Sequence, residues 1–175
     1  LSLLRNKKNL IIIKNNNSKN EQKSEIKSIN GGYLFQEKNN IKININNFKC
    51  MSKIKANKNS LNDLVFAYRV CKHVKSNAVV LVKNKQTIGI GAGQMSRLDA
   101  TKLSILKSEK KARKSGFVAA SDAFFPFIDN IKLLSKNNCK SIVQAVGSIN
   151  DLEIIKCANS RKISLYFSKH RMFRH

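Results

Sequence analysis

From residue 59 onward the sequence alternates between two hydrophobic periods, and that alternation limits the fold more than any other feature. AVVLVKN (78–84), FVAASDA (117–123), SIVQAV (141–146) and ISLYF (163–167) are short apolar runs rich in β-branched residues, the pattern of buried strands. TIGIGAG (87–93) follows the first of them after the polar link Asn84-Lys85-Gln86. Between these runs Leu61, Leu64, Val65, Tyr68 and Cys71 keep helical spacing, with Ser60 as N-cap and Asp63 in the place of a capping-box glutamate. A second helix opens at Ser96 or Asp99 and runs to about Ser115; others start near Asn130 and Asn150. Strands alternating with helices predict an α/β layered domain, with its sites at strand ends.

The chain divides accordingly into a strand-and-loop segment, 1–58, and an α/β unit, 59–175. In the first, LIII (10–13) and YLF (33–35) read as short strands, Gly31-Gly32 marks a turn, and the Asn/Lys tracts through residues 14–27 read as loops. No apolar run approaches the roughly 20 residues needed to span a bilayer. Nor does an apolar stretch with a small-residue cleavage site mark a signal peptide. The first residue is Leu1 and not Met, which suggests a fragment or a processed product. Cys50, Cys71, Cys139 and Cys157 show no CxxC or Cys/His spacing, so neither zinc nor a disulfide framework is expected, and reduced thiols in a cytoplasmic setting are. Cys71 and Cys157 fall in helical patterns as small core residues.

The net charge of +24 invites a nucleic-acid or other polyanion partner. The excess is almost all lysine, however, 27 Lys against 7 Arg, beside 22 Asn and 19 Ile. Those are the residues with the most A- and T-rich codons, and the charge is spread along the whole chain. Base-composition drift explains it better, so nucleic acid is not the expected partner. A lysine-rich binding module stands as the alternative reading.

Four stretches carry candidate chemistry. SDAFFPFIDN (121–130) holds the only proline and three of the nine phenylalanines, between Asp122 and Asp129. Proline suits no central strand and phenylalanine no solvent loop, which leaves a stiff loop presenting aromatic faces to a pocket. In GIGAGQMSR (89–97) the glycines let backbone approach a ligand, a helix N-terminus follows, and Arg97 can pair with phosphate or carboxylate. The spacing is neither a phosphate-binding P-loop nor a dinucleotide fingerprint. In KHVKSN (72–77), Lys72-His73 reads as the basic end of a helix, while Asn77 offers a directional amide. In the terminal KHRMFRH, Phe173 between Arg171 and His175 is an odd choice for a free tail, which suggests that it docks.

These same stretches, SDAFFPF, GIGAGQMSR, KHVKSNAVVLVKN and RMFRH, with NKKNL (6–10) and SINGGYLFQE (28–37), closely resemble the C-terminal part of the bifunctional purine biosynthesis family. That family joins AICAR formyltransferase to IMP cyclohydrolase. The resemblance covers all 175 residues. It implies formyl transfer from 10-formyltetrahydrofolate to the 5-amino group of AICAR, on a cytidine-deaminase-like α/β/α unit without zinc, in a homodimer with active sites at its interface. By motif, Asn77, Arg97, Phe124 and Arg171 would contact AICAR. Leu98, Asp129, Val146 and Gly147 would lie on the folate side, with Phe173 and His175 in support.

The departures from the family pattern carry expectations of their own. The Lys-His pair credited with proton transfer belongs to a segment of the transferase that these residues do not match, and Lys72-His73 aligns elsewhere. The cyclohydrolase part is unmatched as well. The 175-residue piece is therefore expected to be inactive alone. Ile128 stands where the family has an arginine that can pair with the folate glutamate. Ala145-Val146-Gly147-Ser148 stands where it has a Pro-X-Gly-Ser turn, and loss of that proline loosens the backbone.

Overall fold

Each of the apolar runs beyond residue 77 forms a strand. In the computed structural model, which describes residues 9–13 and 24–174, the chain separates into two units, residues 1–40 and 41–175. The described part of the first is a β-hairpin, β1 (Ser24–Ile29) and β2 (Gly32–Glu37), antiparallel with Ile26 opposite Phe35 and Ser28 opposite Tyr33. Gly31 turns it at φ +80°, a left-handed conformation open to glycine at no steric cost. Leu10–Ile13 are described but form no strand, contrary to the sequence expectation, while the polar stretch read as loop supplies β1. The remainder of that loop, 14–23, lies outside the described residues.

The second unit is a six-stranded mixed sheet in the order β3-β8-β7-β6-β4-β5. Its strands are β3 (Phe48–Cys50), β4 (Val79–Lys83), β5 (Gln86–Gly91), β6 (Phe117–Ser121), β7 (Cys139–Ala145) and β8 (Ser164–Ser168). β6, β7 and β8 are parallel neighbours, while β4 runs antiparallel to both β5 and β6. The carboxyl ends of β5, β6, β7 and β8 thus share one edge, where β4 begins.

Helices cover both faces of this sheet. α1 (Lys58–Cys71) lays Leu64, Ala67, Tyr68 and Cys71 on Val80, Val82, Val118, Ala120 and Val143. On the other face α2 (Arg97–Lys107), α4 (Asp129–Lys136) and α5 (Asp151–Ser160) bury Ala100, Ile131, Leu134, Ile154 and Ala158 against Leu81, Ala119, Ile142 and Leu165. Side chains alternate faces along a strand, so central strands buried on both sides read as unbroken apolar runs. The thiols follow this packing. Cys71 and Cys139 are buried and all four cysteines are free; burial pushes the Cys139 thiol up to about 12.

Residues 41–58, grouped with the leading segment on composition, belong by contact to the second unit. Ile43 is buried in the α1-side core, and the Arg69 guanidinium donates to the Ile43 carbonyl at 2.9 and 2.6 Å. β3 pairs with β8, and the Ala56 amide donates to the Tyr166 hydroxyl at 3.0 Å.

Two helix boundaries also differ from expectation. Asn57, and not Ser60, caps α1, accepting the Ser60 amide at 2.8 Å. Asp63 instead accepts the amides of Asn84 and Lys85 at 2.8 and 2.7 Å, fastening the β4–β5 turn. The lysine-rich helix after Ser96 breaks at Ser108, whose hydroxyl donates to the Ile105 carbonyl at 2.7 Å; a five-residue helix α3 (Lys110–Lys114) follows.

Candidate functional site

The carboxyl edge of the sheet gathers what the sequence scatters over 100 residues. Arg97 is the first residue of α2, which Ser96 caps by accepting the Asp99 amide at 3.0 Å. That hydroxyl also donates to Asp99 Oδ2 at 2.8 Å and holds the half-exposed Asp99 carboxyl below its usual range. Phe124 follows β6, and the strap 169–174 follows β8. The Arg97 guanidinium lies 5.9 Å from the Phe124 ring centroid and 5.6 Å from that of Phe173. Arg171 lies 5.2 and 5.9 Å from the same two rings. Two cations thus flank two aromatic faces, each contact within the range of a cation–π attraction.

The strap is docked, but through Met172 and not through Phe173, which stays 39% exposed. Met172 is wholly buried in the α1-side core and donates its amide to the Asp122 carbonyl at 2.7 Å. The Tyr68 hydroxyl donates to the His170 carbonyl. The Ser76 amide donates to the Arg174 carbonyl at 2.9 Å, and the Arg174 amide to the Ser76 hydroxyl at 3.1 Å. Phe173 and Arg171 are thereby held at the edge while Met172 points into the core. His175 lies outside the described residues.

Beneath the cluster sits a buried carboxylate that the sequence reading did not assign. Asp122 is fully buried, with Oδ1 3.5 Å from Arg97 Nη2. Burial lowers the Arg97 guanidinium from its ordinary value; Asp122 opposes this and the charge of Arg171 adds to it. Its signal was an aspartate following an apolar strand run, at the point where a parallel strand leaves the sheet.

The other expected residues take distinct places. Asn77, just before β4, spends its amide N–H groups on the carbonyls of Gln94 (2.9 Å) and Met95 (3.2 Å), shaping the loop before Arg97. Its side-chain oxygen accepts no hydrogen bond among the described residues. Gly147 has φ +113°, and a Cβ built there would stand 3.6 Å from an Arg171 nitrogen, so this turn borders the cluster. Its amide donates to Asp151 Oδ2 at 2.9 Å. Val146 is exposed beside it. Leu98 follows Arg97 in the first turn of α2, and Asp129 opens α4, where the helix dipole favours a carboxylate. Ile128 turns inward and packs against the core. Lys72 caps the C-terminus of α1 and His73 is exposed, its carbonyl accepting Arg174 Nη1 at 2.9 Å.

The glycine run has another role than the one read from sequence. Gly89 and Gly91 lie within β5 and face the α2 backbone; a Cβ on them would fall 2.1 Å from the Ser104 carbonyl oxygen and 1.9 Å from that of Ala100. They permit a helix to sit directly on a strand, which places Arg97. Only Gly93, at φ +66°, serves the loop.

At the opposite end of the sheet a cavity of about 390 Å³ is lined by Asn57, Asp63, Lys83, Asn84 and Lys140 among others. Its carboxylate is committed to the turn amides, and Lys83 donates to the Ala112 carbonyl at 3.1 Å and to the Ser115 hydroxyl. The carboxyl edge is the better candidate: it has charge, aromatic walls and backbone turns in one place. Among the described residues no helix is long and apolar enough to cross a membrane.

Comparison with known proteins shows the family of the chain. The sequence model of the AICARFT/IMPCHase bienzyme family matches residues 1–107, the stretch that contains Asn77, Arg97 and Leu98. The chain is 50% identical over 152 residues to the bifunctional purine biosynthesis protein PurH of Buchnera aphidicola subsp. Baizongia pistaciae, covering 86% of this chain and 29% of that protein. It is 42% identical over 177 residues to the protein of that name from Prochlorococcus marinus strain MIT 9515, and 41% over 175 to that of Fusobacterium nucleatum subsp. nucleatum. Both alignments cover all of this chain and 34% of the relative. The chain thus spans about a third of the length of the curated relatives it matches, and it belongs to the AICARFT/IMPCHase bienzyme family.

Proposed function

We propose that this chain supplies the AICAR-binding edge of an AICAR formyltransferase in purine biosynthesis, within a cytidine-deaminase-like α/β/α unit that needs no zinc. The observation that carries the reading is the convergence of Arg97, Arg171, Phe124 and Phe173. Two guanidiniums suit the phosphate of a nucleotide, and an aromatic face suits the flat imidazole carboxamide. The Asn77 side-chain oxygen is an acceptor for the carboxamide or amino N–H groups. Beside the AICAR residues, Leu98, Val146, Gly147 and the Asp129 carboxylate would receive 10-formyltetrahydrofolate. A carboxylate there holds an aminopyrimidine through paired hydrogen bonds.

The reaction joins the AICAR 5-amino nitrogen to the formyl carbon and breaks the bond from that carbon to N10 of the folate; the proton lost by the amine ends on N10. An aromatic amine of this kind is a weak nucleophile and needs a base to take its proton. The Lys-His pair that the family credits with this proton transfer is not among the matched motifs, so the 175 residues orient both substrates without catalysing transfer. Exposed apolar side chains at the same edge, Met95, Phe127, Val146, Ile149 and Leu152, suit a protein surface that completes the site. A homodimer with the active site at its interface is the assembly proposed.

Titration of the purified chain with AICAR, monitored by calorimetry, tests the reading. Saturable 1:1 binding is expected, weakened at least tenfold by Arg171→Ala, with no formyl transfer when 10-formyltetrahydrofolate is added. Absence of binding, or equal binding by Arg171→Ala, overturns the assignment of the edge.

A further inference from the structure

We propose that Asp122 is a positioning residue, whose buried charge keeps the Arg97 guanidinium at the sheet edge. Three effects oppose a cation at Arg97. It is the first residue of α2, at the positive end of the helix dipole. Its guanidinium is largely withdrawn from water, with Nε meeting no acceptor among the described residues. It also shares the Phe124 and Phe173 faces with a second guanidinium, that of Arg171.

Against these stands one carboxylate. Asp122 Oδ1 lies 3.5 Å from Arg97 Nη2 and is fully buried. At that separation the contact is an ion pair more than a directed hydrogen bond, and among the described residues neither carboxylate oxygen meets a well-aligned donor. The other titratable groups around the pair are the Arg171 guanidinium, the Tyr68 hydroxyl and the Cys71 thiol, the last two kept neutral by burial that raises them. A buried charge left without its partner is costly, so each member of the pair depends on the other.

The backbone of Asp122 fixes the carboxylate independently of Arg97. Its amide donates to the Ala78 carbonyl at 3.1 Å, and its carbonyl accepts the Met172 amide at 2.7 Å. The residue therefore ties the start of β4 and the strap bearing Arg171 to the point from which its side chain reaches Arg97. One aspartate sets the places of both cations, one through its charge and the other through its carbonyl.

Asp122→Asn keeps the shape and removes the charge. The direct readout is the ¹⁵N–¹H resonance of Arg97 Nε, identified by its loss in Arg97→Lys. In the unaltered chain it should be resolved and slow to exchange. In Asp122→Asn it should vanish into solvent exchange while the backbone spectrum of the sheet persists. Resting on the AICAR reading, the affinity for AICAR should fall about tenfold or more in the same variant. A retained, protected Arg97 resonance in Asp122→Asn overturns the proposal. An Arg97 resonance lost as expected, in a chain that never binds AICAR, supports the positioning role and refutes the substrate reading instead. If Asp122→Asn does not fold, Asp122→Asn/Arg97→Met should fold again, because no cation is left uncompensated. Failure of that double variant to fold overturns the proposal.

Discussion

Placing an alanine at Gly91 separates the two readings of the glycine run, as a packing device or as a ligand cradle. The added Cβ would lie 1.9 Å from the Ala100 carbonyl oxygen, 2.7 Å from its carbon and 2.9 Å from the Ser104 amide nitrogen. All three are helix backbone, so no side-chain rotation relieves the overlap. α2 must shift outward by roughly 1 Å, enough to forfeit a quarter to a half of the dispersion energy of each contact it leaves. Ala100, Thr101 and Ser104 are the residues it buries there. Overpacking of this kind costs about 3 kcal/mol, which for a chain of this size lowers the melting temperature by roughly 10 °C. Gly93→Ala offers the contrast. Its Cβ would come no nearer than 3.8 Å to Lys75, and only its φ of +66° opposes the change, at about 1 kcal/mol. Urea unfolding of both variants measures the difference. Equal stabilities, or a greater loss at Gly93, would refute the argument that the glycines exist to let α2 approach β5.

Further outcomes follow from single contacts. Asp63→Ala should lose about 2 kcal/mol in urea unfolding, since it strips two charge-assisted bonds from the β4–β5 turn. Lys85→Gly should gain a few tenths to about 1 kcal/mol, because Asn84 and Lys85 both hold positive φ, 52° and 57°, in a two-residue hairpin turn; a loss would contradict the turn. Met172→Ala should cost about 3 kcal/mol as a fully buried side chain, and weaken AICAR binding by freeing the strap. Cys139 should resist thiol reagents in the native chain at pH 8 while Cys50 and Cys157 react. Its raised value also sets a pH dependence: above the ordinary 9.0 only the unfolded chain loses this proton, so the native state's advantage declines as pH climbs toward about 12.

The layered α/β unit was legible because buried strands and amphipathic helices differ in period. AVVLVKN and SIVQAV admit few other readings once helical spacing appears between them. β3 escaped notice because Phe48–Cys50 is three residues long and sits among Asn and Lys. Its strand character comes from pairing with β8, a tertiary fact. Asp63 shows the same limit. Three residues after Ser60 it looked like a capping partner, but the amides of a turn over 20 residues away hold it more tightly. The Arg97–Phe124–Arg171–Phe173 grouping was read from motif resemblance. Its geometry depends on the sheet order, which brings the ends of β5, β6 and β8 to one edge. Asp122 was in view as a flank of the aromatic loop; its place after an apolar strand run marks a strand end, but only the packing of α2 on the sheet turns its side chain to Arg97.

The central claim is that AICAR binds at this edge. The most direct test is to titrate ¹⁵N-labelled chain with AICAR and map the backbone shifts. The account predicts saturable changes confined to Ser76–Asn77, Gln94–Leu98, Asp122–Phe127, Val146–Gly147 and His170–Arg174. Shifts gathered instead on the lysines of α3 and the cavity at the far end of the sheet, or no saturable shifts, would contradict it.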